Sequence, residues 1–255
     1  MKQNKVILTI AVDAMFLALI ALFSFIPNLG YITLGPISFT TIHILVLVGA
    51  LLLGRKQGAI LGLIFGVFSF LVCLQYPGTI NYLFINPFVS ILPRVLFGYI
   101  SGLLFDIFKK KLDIKDFIAV AAPLCGALTL LHTFLTLCCL YVFGYLDIFK
   151  ISAALNLTDI IEANNAAFGS FGNFILAFIA PGTACEVAAS IILCPLIMLA
   201  LYKALSKSNY VTLGIIKRFN ETSLLSKKAT ILIVALISLV VVALVTTILC
   251  LFYLK

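Results

Sequence analysis

The sequence predicts an all-α, polytopic membrane helical bundle, and three observations carry that prediction. Of 255 residues, 64% are hydrophobic and only 10% charged, with a mean hydropathy of +1.26; a soluble chain carries about 25% charged residues. The charges are also segregated. Residues 14–54, 57–93, 117–146, 187–202 and 229–254 contain no Asp, Glu, Lys or Arg. Finally, these runs are long and continuously apolar. A spanning helix needs roughly 20 such residues, whereas a closed barrel, the other lipid-compatible solution, needs short segments of alternating polarity.

Turn signals divide the runs into seven spans, at about 6–26, 38–54, 57–75, 87–108, 117–144, 183–205 and 229–254. PNLGYITLGP separates the first two and GRKQG the next two. QYPGTINYLFINP precedes the fourth span, and KKKLDIKD precedes the fifth. The first run is not followed by an A-x-A-like cleavage site, so it is expected to remain as a helix. A long segment, 145–182, leads into the sixth span. The last span is featureless and follows a polar linker. The expected organisation is therefore a six-helix functional unit at 1–205, a cytoplasmic linker at 206–228 and an appended anchor helix at 229–255.

The basic residues orient these spans. With the N-terminus inside, the inner segments hold Lys2, Lys5, Arg55, Lys56, Lys109, Lys110, Lys111, Lys115, Lys203, Lys207, Lys217, Arg218, Lys227 and Lys228. The outer segments hold only Lys150 and Lys255 among basic residues, with Asp147, Asp159 and Glu162 beside Lys150 in 145–182. The positive-inside rule then expects the N-terminus in the cytoplasm and the C-terminus outside. The net charge of +8 belongs to the cytoplasmic leaflet, not to a nucleic acid.

Several function classes have no residues to support them. The chain has no G-x-x-x-x-G-K-[ST] nucleotide loop, no H-E-x-x-H and no G-x-S-x-G. No intramembrane carboxylate pair suits metal-assisted chemistry. The seven cysteines lack C-x-x-C spacing, so neither a metal nor a redox site is expected. No catalytic residue and no cofactor is assigned.

Two kinds of small-residue face stand out. Ala11, Ala14, Ala18 and Ala21 share one side of the first helix. Gly58, Gly62 and Gly66 recur at four-residue steps in the third span, and Gly98 and Gly102 do so in the fourth. Such faces let helices approach closely. The glycines are expected to pack internally; the alanine face suits either internal packing or a partner subunit. Asp13 lies beside it, to snorkel to water or to meet that partner.

Polar groups at membrane depth gather towards the outer side. Thr40, Thr41 and His43 begin the second span, while Asn86, Ser90 and Arg94 lie in the outer half of the fourth. Thr183 and Glu186 begin the sixth, and Gln75, Tyr76, Asn81 and Tyr82 occupy a connection. His132 sits mid-span. The inner half is almost purely apolar, which describes a cup open to the outside instead of a channel. A charge at bilayer depth costs about 2.5–3.5 kcal/mol, so Arg94 needs a partner or a function. Two readings are open: an ion pair with Glu186, or a guanidinium presented to an anionic ligand. Pro93 is expected to kink the helix beside it. For His43 and His132, a satisfied helix–helix hydrogen bond is favoured over direct ligand contact.

The Ala14-x-x-x-Ala18 face, LGPISFTTIHILVLVGALLLGRKQGAILGLIFG (34–66), NPFVSILPRVLFGYISG (86–102) and Glu186–Pro195 together resemble the substrate-binding S component of energy-coupling factor (ECF) vitamin transporters. The resemblance covers about residues 5–205. It implies six helices with both ends cytoplasmic and an outward-facing vitamin site. It also implies a transmembrane coupling protein with two ATPase subunits as partners. Ala14 and Ala18, with Ala11 and Ala21, would dock on the coupling protein. The seventh span and the length of 145–182, with room for a short helix over the site, depart from the family pattern. The TTIHI-like start of span two with LPR in span four is most similar to pantothenate-type members. The candidate substrate-binding residues are Arg94 for a carboxylate, with Asn86, Thr41, His43, Asn81 and Glu186. The absence of Trp argues against a thiamine site, and folate and riboflavin stay open. The rival classes are a membrane-embedded enzyme using Glu186 and a histidine, which lacks a catalytic motif, and a purely structural membrane protein.

Overall fold

In the computed structural model, residues 2–34, 37–75, 84–145, 171–205 and 224–253 are described. Helix α1 (Lys2–Phe25) turns Phe16 and Ile20 inward against α2 and α3, while Ala11, Ala14 and Ala18 stay exposed and Ala21 is half-buried. Gln57 Nε2 donates to Asp13 Oδ2 at 2.6 Å, so Asp13 is held by the start of the third helix.

A β-hairpin follows, with strand β1 (Tyr31–Leu34) antiparallel to β2 (Ile37–Thr40) and Tyr31 opposite Thr40. The predicted second span therefore loses its first residues. Ile32, Thr33, Ile37 and Thr40 are β-branched and favour extended backbone. The base of the hairpin is closed by Thr41 N–H to Gly30 O (2.9 Å), Thr41 Oγ1 to Leu29 O (2.8 Å) and Thr40 Oγ1 to Gly30 O (3.1 Å).

Helix α2 (Ile42–Leu53) has 12 residues, all buried except Leu45. At about 1.5 Å per residue it is too short to cross a core of about 30 Å alone. A helix apolar on every side is a core helix, and α1 and the helices Arg55–Gln75, Leu92–Lys109 and Phe171–Leu205 pack against this one. Gly54, at φ 90°, ends it by donating to Ala50 O (2.9 Å), and α3 (Arg55–Gln75) starts at the next residue. Then come α4 (Pro87–Ser90), α5 (Leu92–Lys109) and α6 (Ile114–Cys139), which continues into a π turn at Leu140–Tyr145. Asp113 caps α6 by accepting from Asp116 N–H at 2.9 Å.

Helix α7 (Phe171–Leu205) begins well before the predicted residue 183. Asn173, Pro181 and Gly182 read as loop residues in sequence. Breaking the backbone at membrane depth strands its polar groups, and spanning helices continue through Pro and Gly for that reason. Thr129 Oγ1 in α6 donates to Ser190 Oγ in α7 at 2.9 Å. Helix α8 (Lys227–Tyr253) is seated on α6 and α7, with Ile237, Val241 and Val245 against Leu130, Val187 and Ile191. Leu224 N–H donates to Lys111 O at 2.7 Å, tying its start to the α5–α6 turn. Among the described residues, six helices are long and apolar enough to cross a membrane, and α2 is the seventh apolar helix.

The glycine faces pack α3 against α5. A Cβ on Gly58 would strike Gly98 O, one on Gly62 would strike Arg94 O, and one on Gly66 would lie 2.7 Å from Ile91 Cα. Helix ends alternate cleanly. Arg55 N–H meets Asp106 Oδ2 (3.3 Å), and buried Lys109 donates to Leu51 O and Leu52 O at the C-terminus of α2. These residues, with Lys111 and Leu224, mark the basic end; the hairpin, Asn86 and Arg94 mark the other.

Candidate functional site

Pro93 shapes the polar end. A helical residue at 93 would donate its N–H to Val89 O, but proline has none, and its ring crowds that carbonyl. The helix accordingly breaks at Ile91, between α4 and α5, two residues before the expected kink. The freed carbonyl is taken by the next side chain: Arg94 Nη1 donates to Val89 O at 2.6 Å. Arg94 Cζ lies 5.4 Å from the centroid of Phe65 and 5.2 Å from that of Phe84, so the guanidinium sits against two aromatic faces. Its Nε has no hydrogen bond among the described residues.

The ion pair with Glu186 is not formed. Glu186 Oε1 accepts Thr40 N–H at 2.7 Å, and the Thr133 hydroxyl lies at the same carboxylate. Glu186 thus fastens the hairpin to α7 and α6, satisfying a strand-end amide that would otherwise be buried unpaired.

The expected helix–helix hydrogen bond of the histidines is absent as well. His43 is 0% exposed and His132 4%, and neither ring makes a close hydrogen bond among the described residues, although the Thr40 backbone lies beside the His43 ring. They stack instead, with centroids 5.8 Å apart and planes 12° from parallel. His132 also meets Phe97 (4.8 Å) and Phe65 (5.8 Å). Leaving one buried donor or acceptor unmade costs about 1–3 kcal/mol. A phenylalanine at 132 would avoid that penalty, so packing alone does not explain His132.

Several participants escaped the sequence reading, Phe84 beside Arg94 and Phe97 beside His132 among them. Tyr31 comes in from the hairpin; its buried hydroxyl lies near Ser69 and Arg94 without a close hydrogen bond. Burial pushes the phenol above its ordinary pKa, so the group stays a donor. Phe65 and Ser69 continue the glycine face of α3 outwards, since Gly58, Gly62, Phe65, Ser69 and Cys73 share one buried stripe. That stripe was the available signal. Tyr31 had none, because only the hairpin fold carries it to the cluster.

The remaining candidates are placed as follows. Asn86 Oδ1 accepts Phe88 N–H (3.0 Å) and caps α4. The Thr41 hydroxyl closes the hairpin, as described. Ser90 Oγ donates to Phe84 O, which holds one of the two rings flanking Arg94. Asn81, Tyr76, Tyr82 and most of 145–170 lie outside the described residues. The structure therefore joins Arg94 and His43 with His132, Tyr31, Phe65 and Phe84, and sets Glu186, Thr41 and Asn86 in supporting bonds around them.

Over 102 residues the chain is 37% identical to the "Pantothenate transporter PanT" of Leuconostoc mesenteroides subsp. mesenteroides, a stretch equal to 38% of this chain and 50% of that relative. The chain thus matches about half of the relative's length. The family described as "ECF transporter, substrate-specific component" matches residues 8–198, leaving α8 outside. Because that match runs from α1 into α7, well over half of the chain, this multi-pass membrane protein belongs to the family of substrate-specific components of ECF transporters.

Proposed function

We propose that the chain captures pantothenate from the outer side of the cell membrane and delivers it through an ATP-driven ECF module. That module would consist of a transmembrane coupling protein and two ATPase subunits. The observation that carries the reading is Arg94: buried, flanked by Phe65 and Phe84, with its Nε edge free of hydrogen bonds among the described residues and no salt bridge to Glu186. A planar guanidinium matches a carboxylate in geometry as well as charge. Pantothenate carries one carboxylate, one amide and two hydroxyls, and a 37% identical relative is named a pantothenate transporter.

The chain has no nucleotide-binding loop of its own, so energy enters through partners. Ala11, Ala14 and Ala18 stay exposed on α1 while the glycine faces are consumed internally. This supports the alanines as the face for the coupling protein. The segregation of basic residues supports a cytoplasmic N-terminus and an outward-facing polar end. The chain acts as a binding subunit and not as an enzyme, so its ligand returns unaltered.

Equilibrium binding of radiolabelled pantothenate, folate and riboflavin to the purified full chain in nanodiscs tests this. Saturable binding of pantothenate, recovered chemically unchanged, is expected. Preference for folate or riboflavin would replace the ligand, and binding of none would sink the reading.

A further inference from the structure

We propose that His132 is a ligand-binding residue that hydrogen-bonds an uncharged hydroxyl or amide of the molecule whose carboxylate Arg94 holds, with His43 as its positioning residue. The proposal rests on reading the Arg94 cluster as the vitamin site, and it names that site's second polar contact.

Position comes first. Phe65 is shared: one flank of the ring meets Arg94 Cζ at 5.4 Å and the ring stacks with His132 at 5.8 Å. Phe97, three residues beyond Arg94 on α5, meets His132 at 4.8 Å. Three residues of helix rise about 4.5 Å, so His132, reaching Phe97 from the neighbouring α6, lies roughly one turn deeper than Arg94. A ligand anchored by its carboxylate at Arg94 and extending inwards arrives at this ring.

Chemistry comes second. An imidazole offers a donor and an acceptor in one plane, which suits a hydroxyl or amide. Both His132 nitrogens are buried and have no partner among the described residues. His43 is stacked nearly parallel, and with Phe97 and Phe65 it fixes the plane in which those nitrogens point. A metal does not account for the pair, because among the described residues no group of three His, Cys, Asp or Glu converges. A site built to hydrogen-bond a hydroxyl or amide also rejects analogues that lack it, since its own groups are then left unpaired.

The test compares wild-type, Arg94→Ala and His132→Phe full-length chains in nanodiscs, titrated with pantothenate and with pantothenol, which replaces the carboxylate by an alcohol. His132→Phe is expected to raise Kd about tenfold or more for both ligands, whereas Arg94→Ala should matter for pantothenate and little for pantothenol. Wild-type affinity in His132→Phe overturns the inference and leaves the pantothenate reading standing. A wild-type chain that binds no pantothenate overturns both. If His132→Phe does not fold, the chain's two histidines provide a readout without that variant. In ¹⁵N-histidine-labelled wild type, assigned with His132→Gln, pantothenate should shift the His132 ring resonances; unshifted rings overturn the proposal.

Discussion

Arg94 is the residue around which the polar end is organised, and its predecessor explains how it is tolerated. Pro93 withholds an N–H from Val89 O, and Arg94 Nη1 takes that acceptor. One hydrogen bond and two aromatic faces offset part of the insertion penalty of about 2.5–3.5 kcal/mol, and Nε keeps no hydrogen bond among the described residues. Restoring an amide at 93 would put a backbone donor in competition for Val89 O. Pro93→Ala should therefore straighten the α4–α5 junction and lower pantothenate affinity about three- to tenfold, in keeping with one hydrogen bond of about 1 kcal/mol. Isothermal titration of the variant checks this; unchanged affinity would show that the dipeptide does not position the guanidinium. At this scale a lone charge in an apolar run was legible, as was its depth. Its partner was not, because Glu186 at similar depth is a plausible mate on paper and only the hairpin reveals Thr40 N–H as the group it serves.

At the scale of elements, two small-residue faces of similar appearance have different fates. On α3 and α5 the glycines bring backbones into contact, and Gly62 faces the carbonyl of Arg94 itself. A side chain there would push α5 away and carry the site with it; overpacking of this kind costs about 1–3 kcal/mol. On α1 the alanines face outwards. Gly62→Leu should thus lower both thermal stability and vitamin affinity. Ala14→Trp and Ala18→Trp should leave both unchanged and abolish co-purification with the coupling protein. Thermal melts and pull-downs on the same preparations separate the outcomes. Loss of vitamin binding in the alanine variants would return that face to internal packing. The spacing of the glycines was readable as helix packing. For the alanines, spacing alone left two uses, and the exposure of Ala11, Ala14 and Ala18 speaks against internal packing.

The whole molecule is polarised along the helix axes. One end carries Arg55, Lys110, Lys111 and Lys227; the middle is glycine-packed and apolar; the other end holds the hairpin, Arg94 and the histidine pair. Charge-free runs made the bundle and its alternation legible, since lipid tolerates few other solutions. The hairpin and the 12-residue α2 were not legible, because an apolar run in a membrane chain reads alike whether it faces lipid or core. The early start of α7 was hidden by Pro181 and Gly182, which punctuate soluble chains more strongly than spanning helices. Helix α8 looked detached across its linker, yet Ile237, Val241 and Val245 seat it on α6 and α7. The central claim is that this scaffold holds an anionic vitamin through Arg94. Its most direct test is the pantothenate Kd of Arg94→Ala against wild type, in chains of matched thermal stability. Removing one member of a buried charge pair costs about 2 kcal/mol or more, so the account expects a loss of at least about 30-fold. Equal affinity in the two chains would contradict it.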